Sequence, residues 1–250
     1  MQPKEPPFLE KISRQGYSLN LGDFVNQAGK LVKDNLGIFV AYSATYGLIL
    51  LIMNLLSFVG LLAELLIAPS LSIGFAIAAH EARQGNRPDF SDFFKGFSRF
   101  FDLFLANLLM LLGALVCLLP LGFVLLLDSA GRGFDSDILA IFGLFAILGC
   151  VVLVVALSVL FVLAPHYVYF YNMPAVEALR TSFEVVKISF GSWLGFLIVV
   201  GLLMFAGAFL CGLGLLFTYP LGMAAIYVAF ANINDLEQNK GAELEQHLVG

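Results

Sequence analysis

Charged residues are scarce in this sequence. Lys and Arg number 13 and Asp and Glu number 18, so that 12% of the 250 residues are charged, whereas 60% are apolar. An ordinary soluble domain has roughly 25% charged and roughly 45–50% apolar residues. A chain this apolar could not cover its core in water, which excludes an ordinary soluble globular domain. The net charge of −5 is mixed in sign and gives no support for nucleic-acid binding.

Residues that could support catalysis or bind a metal are also few. The three cysteines all lie in apolar runs, outside any CxxC or Cys/His pattern: Cys117, Cys150 and Cys211. Such cysteines are typical of packing positions. His80-Glu81 lacks the second histidine of the HExxH pattern of zinc hydrolases, so we interpret it as an exposed helix end. We predict no catalytic residue, no metal and no cofactor, and therefore a protein that is not an enzyme.

The first 20 residues, MQPKEPPFLEKISRQGYSLN, lack the apolar core of a cleaved signal peptide. Membrane insertion is therefore expected to begin with the first long apolar run, near Leu36. Each apolar run of about 20 residues can cross roughly 30 Å of hydrocarbon as a helix. We place six transmembrane helices at residues 37–59, 62–82, 103–127, 138–163, 190–210 and 213–233. The expected fold is an all-α membrane protein.

The distribution of Lys and Arg predicts the orientation. Twelve of the 13 fall in the N-terminal segment, in the loops after the second and fourth predicted helices, and in the C-terminal tail. The remaining one, Arg132, lies in the loop DSAGRGFDSD between the third and fourth helices. Because cytoplasmic loops carry the excess of Lys and Arg, we predict that both termini are cytoplasmic.

Three segments before the first, third and fifth predicted helices have apolar and charged residues on opposite faces. In PAVEALRTSFEVVK the apolar stripe includes Val176 and Phe183, and in PDFSDFFKGFSRFFD it includes Phe93 and Phe97. The segment GDFVNQAGKLVKDN has the same pattern in a weaker form. We predict three interfacial helices on the cytoplasmic membrane surface, with Phe93 and Phe97 in lipid. The alternative is that these faces pack against the transmembrane bundle.

An internal repeat is also predicted, with three units of one interfacial helix and one transmembrane hairpin. Gly37 recurs as Gly191 at an offset of 154, and Pro69 recurs as Pro220 at an offset of 151. The predicted divisions are a polar tail at 1–20, repeats at 21–83, 88–171 and 172–233, and an acidic tail at 234–250.

The strings PAVEALRTSFEVVKISFGSWLG and CGLGLLFTYPLGMAAIYVAF resemble a broad group of uncharacterised bacterial membrane proteins. That group is similar to the membrane domain fused to some bacterial glycerophosphodiester phosphodiesterases. DFSDFFKGFSRFF resembles the second interfacial helix of the same group. The resemblance implies a multi-pass protein of the bacterial cytoplasmic (inner) membrane. It implies no catalytic residues, and the soluble phosphodiesterase domain has no counterpart in these residues.

Polar side chains at membrane depth are costly and are therefore candidates for function. Asn54 and Asn107 lie within the first and third predicted helices, where an amide can bond to a neighbouring helix or line a polar cavity. Glu64 falls in the turn between the first two helices, as a solvated residue or as a ligand or proton site.

The segment PHYVYFYN at the end of the fourth helix is rich in amphipathic aromatic side chains. The candidates there are His166, Tyr167, Tyr169 and Tyr171. Such residues are typical of the aromatic belt at a membrane surface. A sharper interpretation is a headgroup site, since phenol and imidazole groups could meet a phosphate there.

Small residues at four-residue spacing predict close approach between helices. Gly191 and Gly195 form a GxxxG pair in the fifth helix, and Gly74 and Ala78 have the same spacing in the second.

Two functions fit these observations. The first is a non-enzymatic membrane module that organises membrane lipids or a partner protein, with a homo-oligomer as a further possibility. The alternative is a transporter or permease for a small molecule or lipid. Internal repeats and proline-containing helices favour the transporter, whereas the scarcity of buried charge disfavours it.

Overall fold

The computed structural model describes residue 12, residues 16–129, 136–209 and 212–234, and residue 236. These residues form helices and connecting turns, with no β-strand among them. The helices, with the labels used below, are α1 (Leu21–Asp34), α2 (Leu36–Leu55), α3 (Ser57–Arg83), a 3₁₀ helix (Phe90–Arg99), α4 (Phe100–Cys117), α5 (Leu119–Ser129), α6 (Ser136–Leu160), α7 (Ala164–Phe170), α8 (Ala175–Ile188), α9 (Phe190–Phe209) and α10 (Leu215–Ile233).

Within this described part, six helices are long and apolar enough to cross a membrane. They are Leu36–Leu55, Ser57–Arg83, Phe90–Val124, Ile141–Phe170, Phe190–Phe209 and Leu215–Ile233. The third is continuous from the 3₁₀ helix through α4 into α5, and the fourth joins α6 to α7. The predicted all-α membrane fold with six spanning helices is confirmed. The loop that contains Arg132 lies outside the described residues.

Two of the hairpins turn within very few residues. Between α2 and α3 the chain reverses at Ser57, which has a positive φ of 52°. A Cβ at Gly60 would overlap the backbone carbonyl of Met53. Between α9 and α10, a Cβ at Gly214 would overlap the backbone of Gly207 in the same way. Only glycine allows such close contact between the two arms, so these glycines permit the tight turns.

The protein core lies at one end of the bundle, where the three amphipathic segments are found. We call this the amphipathic end. The later part of α3, from Leu71 to His80, is almost entirely buried there, as is α10 from Ala224 to Ala231. The first part of α3 and most of α5 and α6 leave large apolar side chains exposed. Those side chains are suited to contact with hydrocarbon, not water.

Each amphipathic segment packs along the second spanning helix of a hairpin. The 3₁₀ helix packs along α3 and α1 packs along α10, whereas α8 packs along α7 and also contacts α4 and α6. The 3₁₀ helix and α8 therefore lie on the hairpin that precedes them in the chain, whereas α1 lies on the last one. The contact between α1 and α10 therefore links the first and the last long helices of the described part of the chain.

The segment before α1 also joins distant parts of this end. The Tyr17 hydroxyl donates to the backbone oxygen of Val185 at 2.8 Å and accepts from Trp193 Nε1 at 2.7 Å. Burial raises the pKa of Tyr17 to about 12, so the hydroxyl keeps its proton at neutral pH. Tyr17 thus ties the N-terminal segment to α8 and α9.

The expectation of lipid contact is wrong for one residue of the 3₁₀ helix, Phe93. The Phe93 ring is fully buried and stacks on Tyr42 with ring centroids 4.0 Å apart. It also meets Phe39 and Phe75 edge to face. No surface of Phe93 is left for lipid, because a close fit to α3 places the ring inside the protein. Phe97 is 38% exposed, so lipid contact at this residue stays a prediction.

In α8 the predicted apolar stripe is exposed at Val176 and Phe183, so lipid contact at these two residues stays a prediction. Val176 is 66% exposed and Phe183 is 40% exposed, whereas Ala178, Ser182 and Val185 are buried against the bundle. The small side chains on this face let α8 approach the bundle closely. The Ser182 hydroxyl accordingly donates a hydrogen bond to the Leu160 carbonyl at 2.8 Å. The larger apolar side chains of α8 are left on its outer side.

Of the two predicted small-residue contacts, the one in α3 is present and the one in α9 is not. A Cβ at Gly74 would overlap the Phe93 backbone, and a Cβ at Gly96 would overlap the Ser70 carbonyl. The close approach predicted for Gly74 is therefore present. At Gly195 and Gly191 a Cβ would meet nothing within 4 Å. The expected GxxxG contact in α9 is wrong because that face of the helix has no helix packed on it.

Candidate functional site

A cavity of about 350 Å³ opens at the amphipathic end, where α3, the 3₁₀ helix and α7 meet. Its lining combines charged, polar and apolar side chains. The lining residues are Ile77, His80, Glu81, Lys95, Ser98, Arg99, Tyr169, Phe170, Asn172 and Leu236. The cavity lies beside the first turns of the third spanning helix, at the change from polar loop to apolar helix.

The 3₁₀ helix presents Lys95, Ser98 and Arg99 to this cavity. Its start is fixed by a capping box, in which the Asp89 carboxylate accepts from the Phe90 amide and the Asp92 carboxylate accepts from the Asp89 amide. Reciprocal caps of this kind satisfy the free amides at a helix start. Together with the close fit of Gly74 and Gly96, the cap sets the register of the segment on α3.

The two cations of the cavity are each paired with carboxylates. Lys95 Nζ lies 2.7 Å from Asp92 Oδ1 and 3.8 Å from Glu81 Oε1, and its side chain is 48% exposed. Arg99 Nη2 lies 3.1 Å from Asp102 Oδ2. Such partly exposed pairs contribute little to stability. The pairs therefore hold the two cations in place without making them unavailable to a ligand.

One hydrogen-bond donor of Arg99 is available to a further acceptor. Its Nη2 atom donates to the backbone oxygen of Asn172 at 2.9 Å, which orients the guanidinium. Its Nε atom is buried and has no hydrogen-bond partner within the described part of the chain. A buried donor without a partner costs about 1–3 kcal/mol, so an acceptor that reached it would be bound favourably.

His80 forms part of the cavity wall and is nearly buried, which corrects its interpretation as an exposed helix end. Nδ1 lies 2.5 Å from the Tyr227 hydroxyl, and Nε2 lies 2.8 Å from Gln84 Nε2. The ring also packs edge to face on Phe170. These contacts join the ends of α3, α7 and α10, so the histidine has a structural role in shaping the cavity.

The aromatic segment predicted as a membrane belt is divided between the cavity and the core. Tyr169 lines the cavity and is half-buried. Tyr167 is fully buried, and its hydroxyl donates to Asn234 Oδ1 at 3.0 Å. Tyr171 donates to the Asn234 backbone oxygen at 3.3 Å. His166 is buried against Phe230. The expectation of a surface belt therefore does not hold for Tyr167 or His166, which pack against α10.

The other predicted site residues lie away from the cavity. Asn54 is exposed and donates to the Leu50 carbonyl of its own helix at 2.9 Å, so it does not bridge helices as expected. Glu64 is half-buried within α3 and not in the turn before it, as the sequence had predicted, because the chain already reverses at Ser57. Asn107 is half-buried on α4. None of the three shares the lining with Tyr169.

Sequence reasoning missed most of the cavity. The sequence places Lys95 and Arg99 on the charged face of the second amphipathic segment and Asn172 at the start of the third, and neither pattern predicts a shared cavity. The signal that could have predicted the packing of the 3₁₀ helix on α3 is the pair of glycines Gly74 and Gly96. Each lies where the backbones of the two segments are in contact.

In comparisons with known proteins, the chain matches no family model, no curated protein and no solved structure. The resemblance to the membrane domain of glycerophosphodiester phosphodiesterases stays a prediction. Among the residues described here, no three His, Cys, Asp or Glu side chains are grouped so that they could hold a metal ion. The function must therefore be argued from the cavity itself.

Proposed function

We propose that this chain is a non-enzymatic integral membrane module that binds phospholipid headgroups in the cavity at its amphipathic end. The observation that carries the proposal is the position of Lys95 and Arg99 in a cavity of about 350 Å³ beside the start of a spanning helix. Lys and Arg at this level attract phosphate groups. Ile77, Phe170 and Leu236 supply apolar walls for the glycerol and the first acyl carbons.

The proposal places the cavity on the cytoplasmic side of a bacterial inner membrane. All eight Lys and Arg residues of the described part lie on the amphipathic segments or at the end of α3 and in the loop after it: Lys30, Lys33, Arg83, Arg87, Lys95, Arg99, Arg180 and Lys187. Positive charge on one side marks that side as cytoplasmic. A reporter fused after Gly85 should report the cytoplasm, and one fused at Gly131 the outside. The reverse result would refute the orientation.

The proposed architecture is the threefold repeat. Two observations support it. Gly207 and Gly214 follow Met53 and Gly60 by 154 residues in each case, and both pairs meet at a hairpin turn. Each amphipathic segment also packs on a different hairpin, and α1 packs on the last one, as expected for three equivalent units arranged in a ring. The repeat would place three cytoplasmic segments around one lipid-facing surface.

Lipid retention tests the proposed function. The protein is reconstituted in nanodiscs of bacterial phospholipids, extracted in detergent, and weighed by native mass spectrometry to count bound lipids. Lys95→Gln should lose at least one retained lipid, since the ammonium that meets the phosphate is gone. Lys33→Gln is the matched control, because Lys33 is an exposed cation on α1 outside the cavity. Equal retention by the wild type and both variants would refute the headgroup site.

A transporter is the second candidate, and one observation favours it. Tyr46 and Tyr219 stack with ring centroids 5.4 Å apart, and their hydroxyls lie 3.4 Å apart, next to Pro220. A proline in a spanning helix leaves backbone carbonyls free for a polar path. Uptake of a membrane-impermeant substrate library into proteoliposomes, reduced by Tyr219→Phe and unaffected by Lys95→Gln, would favour transport over lipid binding.

A further inference from the structure

The charges around the cavity point beyond phosphate binding in general. Glu81 lies in the lining together with Lys95 and Arg99. Asp92 and Asp102 stand behind the two cations as their ion-pair partners. The formal charges are two positive and three negative, a net of −1. A headgroup with a net negative charge would therefore gain no general attraction here, although its phosphate would find donors.

The donors for a phosphate lie on the 3₁₀ helix. The Nε atom of Arg99 is buried without a partner in the described part of the chain. Lys95 has three ammonium hydrogens, of which Asp92 takes one at close range. Ser98 donates its own hydroxyl to the Lys95 backbone oxygen at 2.7 Å. Arg99 and Lys95 are therefore the groups with capacity left for an anionic oxygen.

The acceptor for a cation lies on α3. Glu81 Oε2 accepts from Asn86 Nδ2 at 2.9 Å, which holds the carboxylate in place. The other oxygen, Oε1, is 3.8 Å from Lys95 Nζ, too far for a hydrogen bond. Its side chain is 25% exposed. Glu81 can therefore accept from an additional N–H donor that enters the cavity.

We infer that the cavity selects phospholipids whose headgroup carries a primary ammonium beside the phosphate, the phosphatidylethanolamine class, over phosphatidylglycerol. The inference rests on the proposed headgroup site and adds its specificity. Arg99 and Lys95 bind the phosphate, and Glu81 accepts from the ammonium. A glycerol headgroup offers only hydroxyls to the carboxylate, and neutral donors form weaker hydrogen bonds to it than charged ones.

A competition experiment tests the selectivity. Nanodiscs with equal amounts of phosphatidylethanolamine and phosphatidylglycerol are extracted, and the retained lipids are identified by native mass spectrometry. The wild type should be enriched in phosphatidylethanolamine by about tenfold, the effect of one hydrogen bond between charged groups. Glu81→Gln should remove the enrichment and keep lipid binding. Glu184→Gln is the control, since Glu184 pairs with Arg180 on α8, outside the cavity.

The outcomes separate the two proposals. If Lys95→Gln reduces retention but the wild type holds both lipids equally or prefers phosphatidylglycerol, the selectivity is wrong and the headgroup site stands. If retention does not depend on Lys95, both are wrong. A thermal unfolding midpoint of Glu81→Gln equal to that of the wild type guards against misfolding of this variant. If soluble phosphoethanolamine binds and no phospholipid is retained, the cavity takes a water-soluble ligand and the inference is overturned.

Discussion

The first half of α3 and its second half up to Ala79 are both apolar, but their surroundings are opposite. In the first half, Phe58 and Leu61 are 70% and 63% exposed, whereas Leu71 and Phe75 in the second half are buried. The first half is suited to a lipid solvent and the second packs against protein on several sides. The difference shows that hydropathy alone describes the solvent a helix tolerates, and does not say whether lipid or protein surrounds it.

Hydrogen bonds between distant parts of the chain follow the same division. At the amphipathic end, Tyr42 donates to the Leu71 carbonyl at 2.8 Å and Tyr167 to Asn234 at 3.0 Å. In the opposite half, Asn54 donates to a carbonyl of its own helix. Apolar helices gain no hydrophobic attraction for each other in lipid, so close packing and hydrogen bonds must hold them. We infer that the amphipathic end supplies most of the stability of the bundle.

The largest effect should come from filling the closest contact at that end. Gly74→Leu forces a side chain into the Phe93 backbone, and we expect the free energy of unfolding to fall by about 3 kcal/mol, the upper range of overpacking. The measurement is thermal stability in detergent, followed by the monodisperse fraction. Gly195→Leu is the control, because its Cβ would meet nothing within 4 Å. A similar loss in both variants would break the comparison between the halves.

An intermediate effect is expected from removing a buried amide. Asn234 accepts from Tyr167 and donates to the Phe230 carbonyl at 2.8 Å. Asn234→Leu should lower the free energy of unfolding by about 1–3 kcal/mol, because the Tyr167 hydroxyl loses its acceptor inside the core. Asn54→Leu, in the opposite half, should be neutral or slightly stabilising in the same detergent assay. A larger loss at Asn54 would show that the outer half also depends on interhelical bonds.

A smaller effect should locate the boundary between the halves. Tyr42 and Tyr46 are one turn apart on α2, and only Tyr42 bonds to a backbone carbonyl of another helix. Tyr42→Phe should cost about 1 kcal/mol, the usual value of a buried hydrogen bond. Tyr46→Phe should cost less, since its partner is a hydroxyl at 3.4 Å. Chemical denaturation of both variants measures the two losses in free energy of unfolding. Equal losses would place the boundary between the halves farther from the amphipathic end.

The spanning helices could be predicted from the sequence because long apolar runs report the solvent directly. The predicted start of the first span, residue 37, differs by one residue from the observed Leu36. The predicted starts of the second and third spans, residues 62 and 103, come later than the observed Ser57 and Phe90. The surroundings of Phe93 could not be predicted, because an apolar face is equally suited to lipid and to a protein core. The pattern of Gly191 and Gly195 fails for the same reason: small residues permit close packing but do not require a partner.

The cavity was beyond sequence reasoning for a different reason. Its lining comes from the end of α3, the 3₁₀ helix, α7 and Leu236, which lie far apart in the chain. Only Tyr169 among the predicted site residues lines it. The enclosure of Lys95 and Arg99 in one cavity depends on the packing of α7 against the 3₁₀ helix, which no local pattern in either segment indicates.

The smallest effect concerns a buried histidine and should have the opposite sign. His166 is buried, and within the part of the chain that the structure describes its ring nitrogens have no well-formed hydrogen bond, only a weaker contact with the Val162 backbone. Phe170 and Phe230 pack on the ring, with centroids 6.4 Å and 5.1 Å away. His166→Phe removes the cost of burying polar atoms, about 1–3 kcal/mol, but adds volume to a packed core, which offsets part of the gain. We expect a net stabilisation of about 1 kcal/mol, measured by thermal unfolding in detergent.

Tyr167→Phe is the matched control at the neighbouring buried position, and it should be destabilising because Asn234 loses its donor. A loss of stability in His166→Phe would mean that the imidazole is satisfied by a bound water or lipid, and this end of the bundle would then be less dry than its packing indicates.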